Sequence, residues 1–328
     1  MLDSRLTYVT PVYNGSDYIE ELVKSVAEQR LPDGTKFQHI VVNDGSTDDT
    51  SSKLQLLDSQ IGPQLTIVDK ENGGEASAVN TGIAAVKTPY VCVVNADDPL
   101  LPGHGYRMVS AMDEHPEIAV AYPDWQMIDE HGSLILTRIT KPFDERALIG
   151  DFVCLPGPGA VIRLADVEGP IRNTNYRYIT DFELWVRLAS RKAFLRVPHV
   201  LATWRQHSAG ATATGSGSNI ADELLRLATT DLKQLLSPES YQRFNRSAIA
   251  HANYYAALQL TNDDPAKARR LILRSLAMKP YPNIGYATDH RNPVGIVLAM
   301  SGPTGGRLIR ALGKLRARVS RLSVRSNQ

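Results

Sequence analysis

Cysteine is scarce in this chain: Cys92 and Cys154 are the two thiols among 328 residues. They lie in apolar surroundings without metal-type spacing, which excludes a disulfide framework and marks both as small core residues of a reducing compartment. Also missing is any apolar run near the ~20 residues a membrane-spanning helix needs. The N-terminal MLDSRLTYVTP has no signal-peptide core. We therefore expect a cytoplasmic protein. Net charge is nearly absent as well, since 36 Lys+Arg against 35 Asp+Glu leave +1, and bulk charge predicts no nucleic-acid partner. The turn after the first predicted strand, PVYNGSDY, contains no G-x-G-x-x-G. That disfavours a dinucleotide site and leaves a mononucleotide site open.

What the chain does contain is organised around YVCVVNADDPLLPG, beginning at Tyr90. A near-continuous apolar run of strand formers reads as a strand buried on both faces. It stops at Asn95, Ala96, Asp97 and Asp98, and Pro99 bars further pairing. Adjacent carboxylates repel unless a cation or a hydrogen-bonded ligand is shared between them. A hard divalent ion holding a diphosphate suits such a pair; a plain Asp-Asp-Pro turn is the simpler alternative.

Strands are predicted over 6–10, 36–43 and 65–68, with helices over 16–27, where Ser16 is the expected cap, 50–60 and 75–87. Strand–helix alternation at this spacing implies a parallel sheet with right-handed crossovers. Small residues at Ala76, Ala78, Ala84 and Ala85 let the third helix lie close to the sheet. Beyond Gly103 the pattern loosens: a helix over 106–113, strands over 118–122 and 133–138, a loop entering a strand at 156–163, a helix over 179–189 and a strand over 193–205. The Gly/Ser-rich stretch 208–218 reads as a mobile loop or linker. Helices follow over 222–236, 239–260 and 265–278, the last two as a hairpin. From Arg307 onward seven cations and no acid accompany a leucine stripe. That basic tail either lies on an anionic membrane surface or packs on protein.

Four features separated in sequence fall at the C-terminal ends of successive strands, where open α/β sheets bind ligands. They are residues 10–14 (with Pro11, Tyr13 and Asn14), Asp44 with Gly45 and Ser46, Asn72–Gly74, and Asp97–Asp98. Asp44 can accept from a pyrimidine imide or a ribose hydroxyl, or can form an Asx turn. Tyr13 can stack on a base or merely pack. Gly73 and Gly74 permit close backbone approach or a left-handed turn. His104, near the acidic pair, reads as a surface turn residue.

At these positions the chain resembles the family 2 glycosyltransferases. TPVYNGSDYIEELVKSVAEQ, VVNDGSTDDT, ENGGEASAVNTGI and NADD follow one another in that family's order, ITDFELWVRLA resembles its acceptor-side helix, and WRQH its late Arg–His motif, together spanning about residues 4–210. The resemblance implies a GT-A fold, an α/β architecture with a Rossmann-like, mostly parallel central sheet, followed here by an α-helical C-terminal region. It implies that Pro11, Tyr13, Asn14, Asp44, Asn72, Gly73, Asp97, Arg205 and His207 bind the nucleotide sugar, with Asp44 reading the base and Asp97 the ribose. Asp98, with His207, holds a divalent metal (Mn²⁺ or Mg²⁺), and Asp181 is the catalytic base. Where the family often has Glu-Asp, this chain has Thr180-Asp181.

The expected organisation is a GT-A domain over 1–215, with a nucleotide half at 1–103 and an acceptor half at 104–215, then a helical region over 219–328. The expected reaction is metal-dependent, inverting transfer from a nucleoside-diphosphate sugar, UDP-linked by preference, to a hydroxyl on a glycan, lipid-linked glycan or small molecule. Peripheral contact with the inner membrane face through the basic tail belongs to the same reading. A nucleotidyltransferase and a non-catalytic sugar-binding module are the alternatives; a missing Gly-rich, Arg/Lys-bearing loop after the first strand counts against the former.

Overall fold

A computed structural model describes residues 5–207 and 217–279. The basic tail lies outside the described residues, as does the loop expected at 208–218 except for Gly217 and Ser218, which open a helix instead. The chain divides into two units, residues 1–148 with 154–214, and residues 149–153 with 215–328.

In the first unit, β1 (Leu6–Val12), β2 (Gln38–Asp44), β3 (Leu65–Lys70) and β4 (Tyr90–Val93) run parallel in the order β3-β2-β1-β4. All seven residues of β1 are buried, as the apolar run requires of a strand covered on both faces. Leu6, Tyr8 and Val41 join a core with Leu22 and Val26 of α1 (Ile19–Ala27), Leu54 of α2 (Thr50–Ile61) and Met108 of α4 (His104–Glu114). The alternate residues Val9, Ile40 and Val42 meet α3 (Glu75–Ala84) at Gly82, where an added Cβ would lie 2.5 Å from Val9 Cγ1. The helix backbone therefore rests directly on the sheet, as its small residues predict.

Beyond β4, β7 (Val161–Arg163) pairs antiparallel, and β5 (Val120–Ile128) follows it. One edge of β5 takes β7 and then β6 (Leu134–Arg138), both antiparallel, while β8 (Phe194–Arg205) pairs parallel along its other edge. Strand order reverses between β1 and β4, so the crevice beyond their C-terminal ends is the topological switch point.

Two local expectations are corrected. Ser16 does not cap α1, which begins instead with Tyr18 and Ile19 donating to the Gly15 carbonyl. The Ser16 amide is engaged by Asp48 Oδ2 at 3.1 Å, because the turn at 14–16 is laced to the loop after β2. His104 is no surface residue: fully buried, its ring bridges Tyr8 Oη (3.0 Å) and the Gly159 carbonyl (2.8 Å), and burial lowers its pKa to about 4.

The second unit contains α6 (Gly217–Arg226), α7 (Pro238–Leu260) and α8 (Pro265–Met278). Ser237 and Asp264 accept from the amides of Ser240 and Lys267, and each is followed by proline in the first turn. Ala221, Ala256, Ala257, Leu260, Ala268 and Ile272 form its seam. Among the described residues no helix is long and apolar enough to cross a membrane.

Candidate active site

The turn after β4 presents two aspartates with opposite environments. Asp98 is buried, its Oδ1 accepting from the Arg205 amide at 2.7 Å and its Oδ2 from Asn95 Nδ2 at 3.0 Å. Burial raises its pKa well above the ordinary carboxylate value, the Asp97 charge adds to the rise, and the Arg205 amide opposes it. Asp97 keeps a quarter of its side chain open, and its Oδ2 lies 2.8 Å from His207 Nε2. The His207 ring leans on Tyr18 at 4.9 Å between centroids. This pair, and not Asp98, faces outward.

Arg205 is committed to protein. Its Nε donates to the Asp97 carbonyl (2.9 Å), Nη1 to the Asp129 carbonyl (3.3 Å) and Nη2 to Glu21 Oε2 (2.6 Å), and the guanidinium covers the Tyr18 ring. Only 2% of the side chain is exposed. Arg205, expected among the nucleotide-sugar-binding residues, staples the acidic turn to α1 and β8 in this structure. Asp98, expected to ligate metal, braces the turn here through one hydrogen bond on each oxygen, from the buried Arg205 amide and from the exposed Asn95.

The loops after β1, β2 and β3 converge beside this turn. Asn14 adopts φ 51°, a left-handed conformation, and its Oδ1 accepts from the Thr47 amide at 2.8 Å. Asp44 Oδ1 accepts from Lys70 Nζ (2.6 Å) and the Gly73 amide (3.0 Å), and Oδ2 from the Gly74 amide (2.8 Å). Of roughly four lone-pair positions on a carboxylate, three are used to shape the loop at 72–74. Pro11 pairs within the sheet against Val42, Tyr13 projects with half its surface exposed, and Asn72 and Gly73 are exposed. Gly45 crosses Asn72 so closely that a Cβ would lie 2.8 Å from its amide nitrogen.

Asp181 opens α5 (Thr180–Ala189), its Oδ1 accepting from the Phe182 amide at 2.7 Å. What joins it to the turn after β4 is Glu75, the first residue of α3. Burial raises the Glu75 pKa, Arg172 opposes the rise, and the charges of Asp181 and then Asp97 add to it. Cys154 is accessible to solvent, which corrects its reading as a core residue, yet its thiol pKa is pushed well up by its surroundings and then by Asp181, against Arg172. Arg172 and Asp181 thus both act on Glu75 and on Cys154, and Asp97 acts on Glu75 as well. Glu75 lies within the ENGGEASAVNTGI stretch but was assigned no role there, and Arg172 carries no motif.

Residues 7–164 match the family model described as Glycosyl transferase family 2. An uncharacterized glycosyltransferase of Rickettsia prowazekii, RP339, is 26% identical over 246 residues, covering 71% of this chain and 73% of the relative. Among solved structures, S. aureus TarS 1–349 in complex with UDP-GlcNAc is similar with a TM-score of 0.57 at 14% identity, covering 90% of each chain. The mannosyltransferase PcManGT of Pyrobaculum calidifontis, in complex with GDP-Man and Mn²⁺, is similar with a TM-score of 0.56 at 19% identity, covering 87% of this chain and 82% of that one. The chain is a glycosyltransferase of GT-A fold, and its residues 7–164 form a family 2 glycosyltransferase domain.

Proposed function

We propose that this enzyme transfers a glycosyl group from a nucleoside-diphosphate sugar to an acceptor hydroxyl in a single, inverting displacement that depends on a divalent cation. The observation that supports the reading is the convergence of the open Asp97–His207 pair with the loops after β1, β2 and β3 at the switch point of the sheet, with the charges of Asp181 and Asp97 both felt at Glu75.

Asp97 and His207 are the residues we assign to the cation, in place of Asp98. The fit rests on their contact: an open carboxylate oxygen and an imidazole nitrogen 2.8 Å apart form a two-donor set. Among the described residues no group of three or more such side chains is assembled. Mg²⁺ and Mn²⁺ sites in phosphate-transfer clefts commonly need few protein donors, because substrate phosphate oxygens and water complete the shell. Bound there, the ion supplies neutralisation of the charge that builds on the departing diphosphate.

The protein's own part is positional and basic. Arg205 and Asp98 hold the turn that carries Asp97, and the loop at 72–74, tied to Asp44, offers exposed backbone to the nucleotide. Tyr13 is the side chain free to stack on the base. Asp181 takes the proton of the acceptor hydroxyl as its oxygen bonds to the anomeric carbon and the bond from that carbon to the diphosphate oxygen breaks. The cleaved bond's electrons leave on the diphosphate, and no covalent enzyme intermediate forms. The UDP-GlcNAc and GDP-Man bound by the comparison proteins support a nucleotide-sugar donor, UDP-linked by preference; the acceptor is a glycan, lipid-linked glycan or small-molecule hydroxyl. A role in polysaccharide synthesis and contact of the tail with a membrane belong to the same proposal.

The test is release of nucleoside diphosphate from UDP-, GDP- and dTDP-sugars with Mn²⁺ and a panel of hydroxyl acceptors. Asp181→Asn should lower turnover by about 10²–10⁴ while donor binding persists, the range for removing a general base. Turnover within threefold of wild type in that variant would remove Asp181 from the mechanism.

A further inference from the structure

Between β7 and α5 the chain forms neither helix nor strand over residues 167–179. Its backbone groups therefore find partners outside any ladder, and those partners set where it lies. Asn80 of α3 holds Arg172 as a neighbouring strand would: the Arg172 amide donates to Asn80 Oδ1 at 3.0 Å, and the Arg172 carbonyl accepts from Asn80 Nδ2 at 2.8 Å. One carboxamide thus spends both of its ends on a residue 92 positions away. A second clamp reaches the same segment from α5. Arg187 Nη2 donates to the Pro170 carbonyl at 2.8 Å, and Nη1 donates to the Glu168 carbonyl. Glu183, one turn earlier in α5, keeps that guanidinium in place, with Oε2 accepting from Nη2 at 3.3 Å. Only 2% of the Glu183 side chain is exposed, and a buried carboxylate stripped of its cation is strongly disfavoured.

Together the clamps make a bridge between two parts of the site. α3 follows directly on Gly73 and Gly74, whose amides are fixed by Asp44. α5 opens with Asp181, whose Oδ1 accepts from the Phe182 amide at 2.7 Å. Asn80 lies within about two helical turns of Gly74, and Arg187 within about two of Asp181. Each clamp is therefore joined to its end of the site by a short, internally bonded helix. A shift of residues 168–172 moves one helix against the other.

We infer that Asn80 and Arg187 are positioning residues for glycosyl transfer, which through residues 168–172 hold Asp181 at a set distance from the nucleotide loop at 72–74. This rests on the transfer reading above. Neither residue is assigned a contact with substrate. Misplacing a reacting group by about 1 Å costs on the order of 10²-fold in rate, so the effect belongs in turnover and not in donor binding.

Hydrogen–deuterium exchange and kinetics on the full chain with Mn²⁺ test it. Asn80→Ala removes both bonds to Arg172, and amides of 168–172 should exchange about tenfold faster or more. The loosening should also reach α5: the amides of Phe182 and Glu183, bonded to Asp181 Oδ1 and to the Ile179 carbonyl, should exchange about fivefold faster or more. UDP affinity by calorimetry should stay within about threefold of wild type, while kcat for nucleoside diphosphate release falls about 10–10²-fold. Asn80→Asp keeps an acceptor for the Arg172 amide, and Arg187→Lys keeps a cation beside Glu183. Both should show the same pattern to a smaller degree, with thermal melts confirming that the variants fold. Faster exchange confined to 168–172, a kcat within about threefold of wild type, or equal loss of UDP affinity and turnover overturns the inference while leaving glycosyl transfer intact. A wild type that releases no nucleoside diphosphate across the donor and acceptor panel overturns the transfer reading instead, and this inference with it.

Discussion

Substituting Asp98 separates a brace from a metal ligand. In Asp98→Ala the Arg205 amide, buried and donating over 2.7 Å, loses its acceptor, and Asn95 Nδ2 loses another. The stranded buried amide costs about 1–3 kcal/mol, while the exposed Asn95 turns to water. Relief comes from removing a carboxylate that burial already disfavours in its charged form, as its raised pKa records. The balance is a destabilisation of about 1–3 kcal/mol. At about 2–4 °C per kcal/mol for a domain of roughly 200 residues, the melting temperature should fall by about 2–12 °C. Asp97→Ala removes a partly open side chain and one contact to His207, so its melting temperature should stay within about 3 °C of wild type. The two variants should part again when Mn²⁺ and UDP are added, because ligands that bind the native state raise its stability by RT ln(1 + [L]/Kd). Asp97→Ala should lose most of the Mn²⁺-dependent rise, and Asp98→Ala should retain it in whatever fraction remains folded. Differential scanning fluorimetry across a Mn²⁺ series measures both effects. If Asp98→Ala melts with wild type and has no Mn²⁺ response, while Asp97→Ala responds normally, the assignment is reversed and Asp98 is the ligand.

The Lys70–Asp44 contact, 2.6 Å between a mostly covered amine and a buried acid, should make Lys70→Ala cost about 1–3 kcal/mol in urea unfolding and weaken UDP binding by loosening the loop at 72–74; an unchanged urea midpoint would show that the two glycine amides suffice. Burial lowers the His39 pKa to about 3, below its unfolded value near 6.5, so the native state resists a proton that the unfolded chain accepts. The contribution to stability is whole above about pH 6.5 and is lost as pH falls toward 3. The raised pKa values of Asp98 and Glu75 act with the opposite sign. Comparing His39→Asn with wild type cancels those acids: between about pH 6 and 4 the variant's stability should fall less steeply by about 1.4 kcal/mol per pH unit, and parallel slopes in urea titrations would refute a neutral buried His39. Gly105→Ala places a Cβ 2.2 Å from the Phe37 ring and should cost about 1–3 kcal/mol, read as a lower urea midpoint.

Much of this molecule is written locally. The buried run at Tyr90–Val93, the alternating strands and helices before it, and the breaks at Pro99, Gly73 and Gly103 follow from side-chain periodicity and turn chemistry, which need no distant partner to be read. The same holds for the prolines that open α7 and α8 and for the convergence of loops at strand ends, a property of parallel topology. What a side chain does there is another matter. Asp97 and Asp98 are chemically identical neighbours, and their separation into an open acid and a buried brace is made by the Arg205 amide, 107 residues further along. Arg205 and His207 form one short motif, yet β8 turns the first into the fold and the second toward Asp97.

His104 was legible as a histidine near an acidic turn, but its place between Tyr8 and Gly159 depends on two other segments arriving beside it. Glu75, inside ENGGEASAVNTGI, was assigned no role and Arg172 had no pattern at all, because single residues brought together by the fold have no periodicity of their own. Sequence thus determined the elements, their order and the end of the sheet at which chemistry takes place, since hydrophobic spacing and backbone preferences act over a few residues. Tertiary structure alone decided which acids stay open and which cations are consumed in bracing, since burial and hydrogen bonding depend on whichever distant segment folds against them.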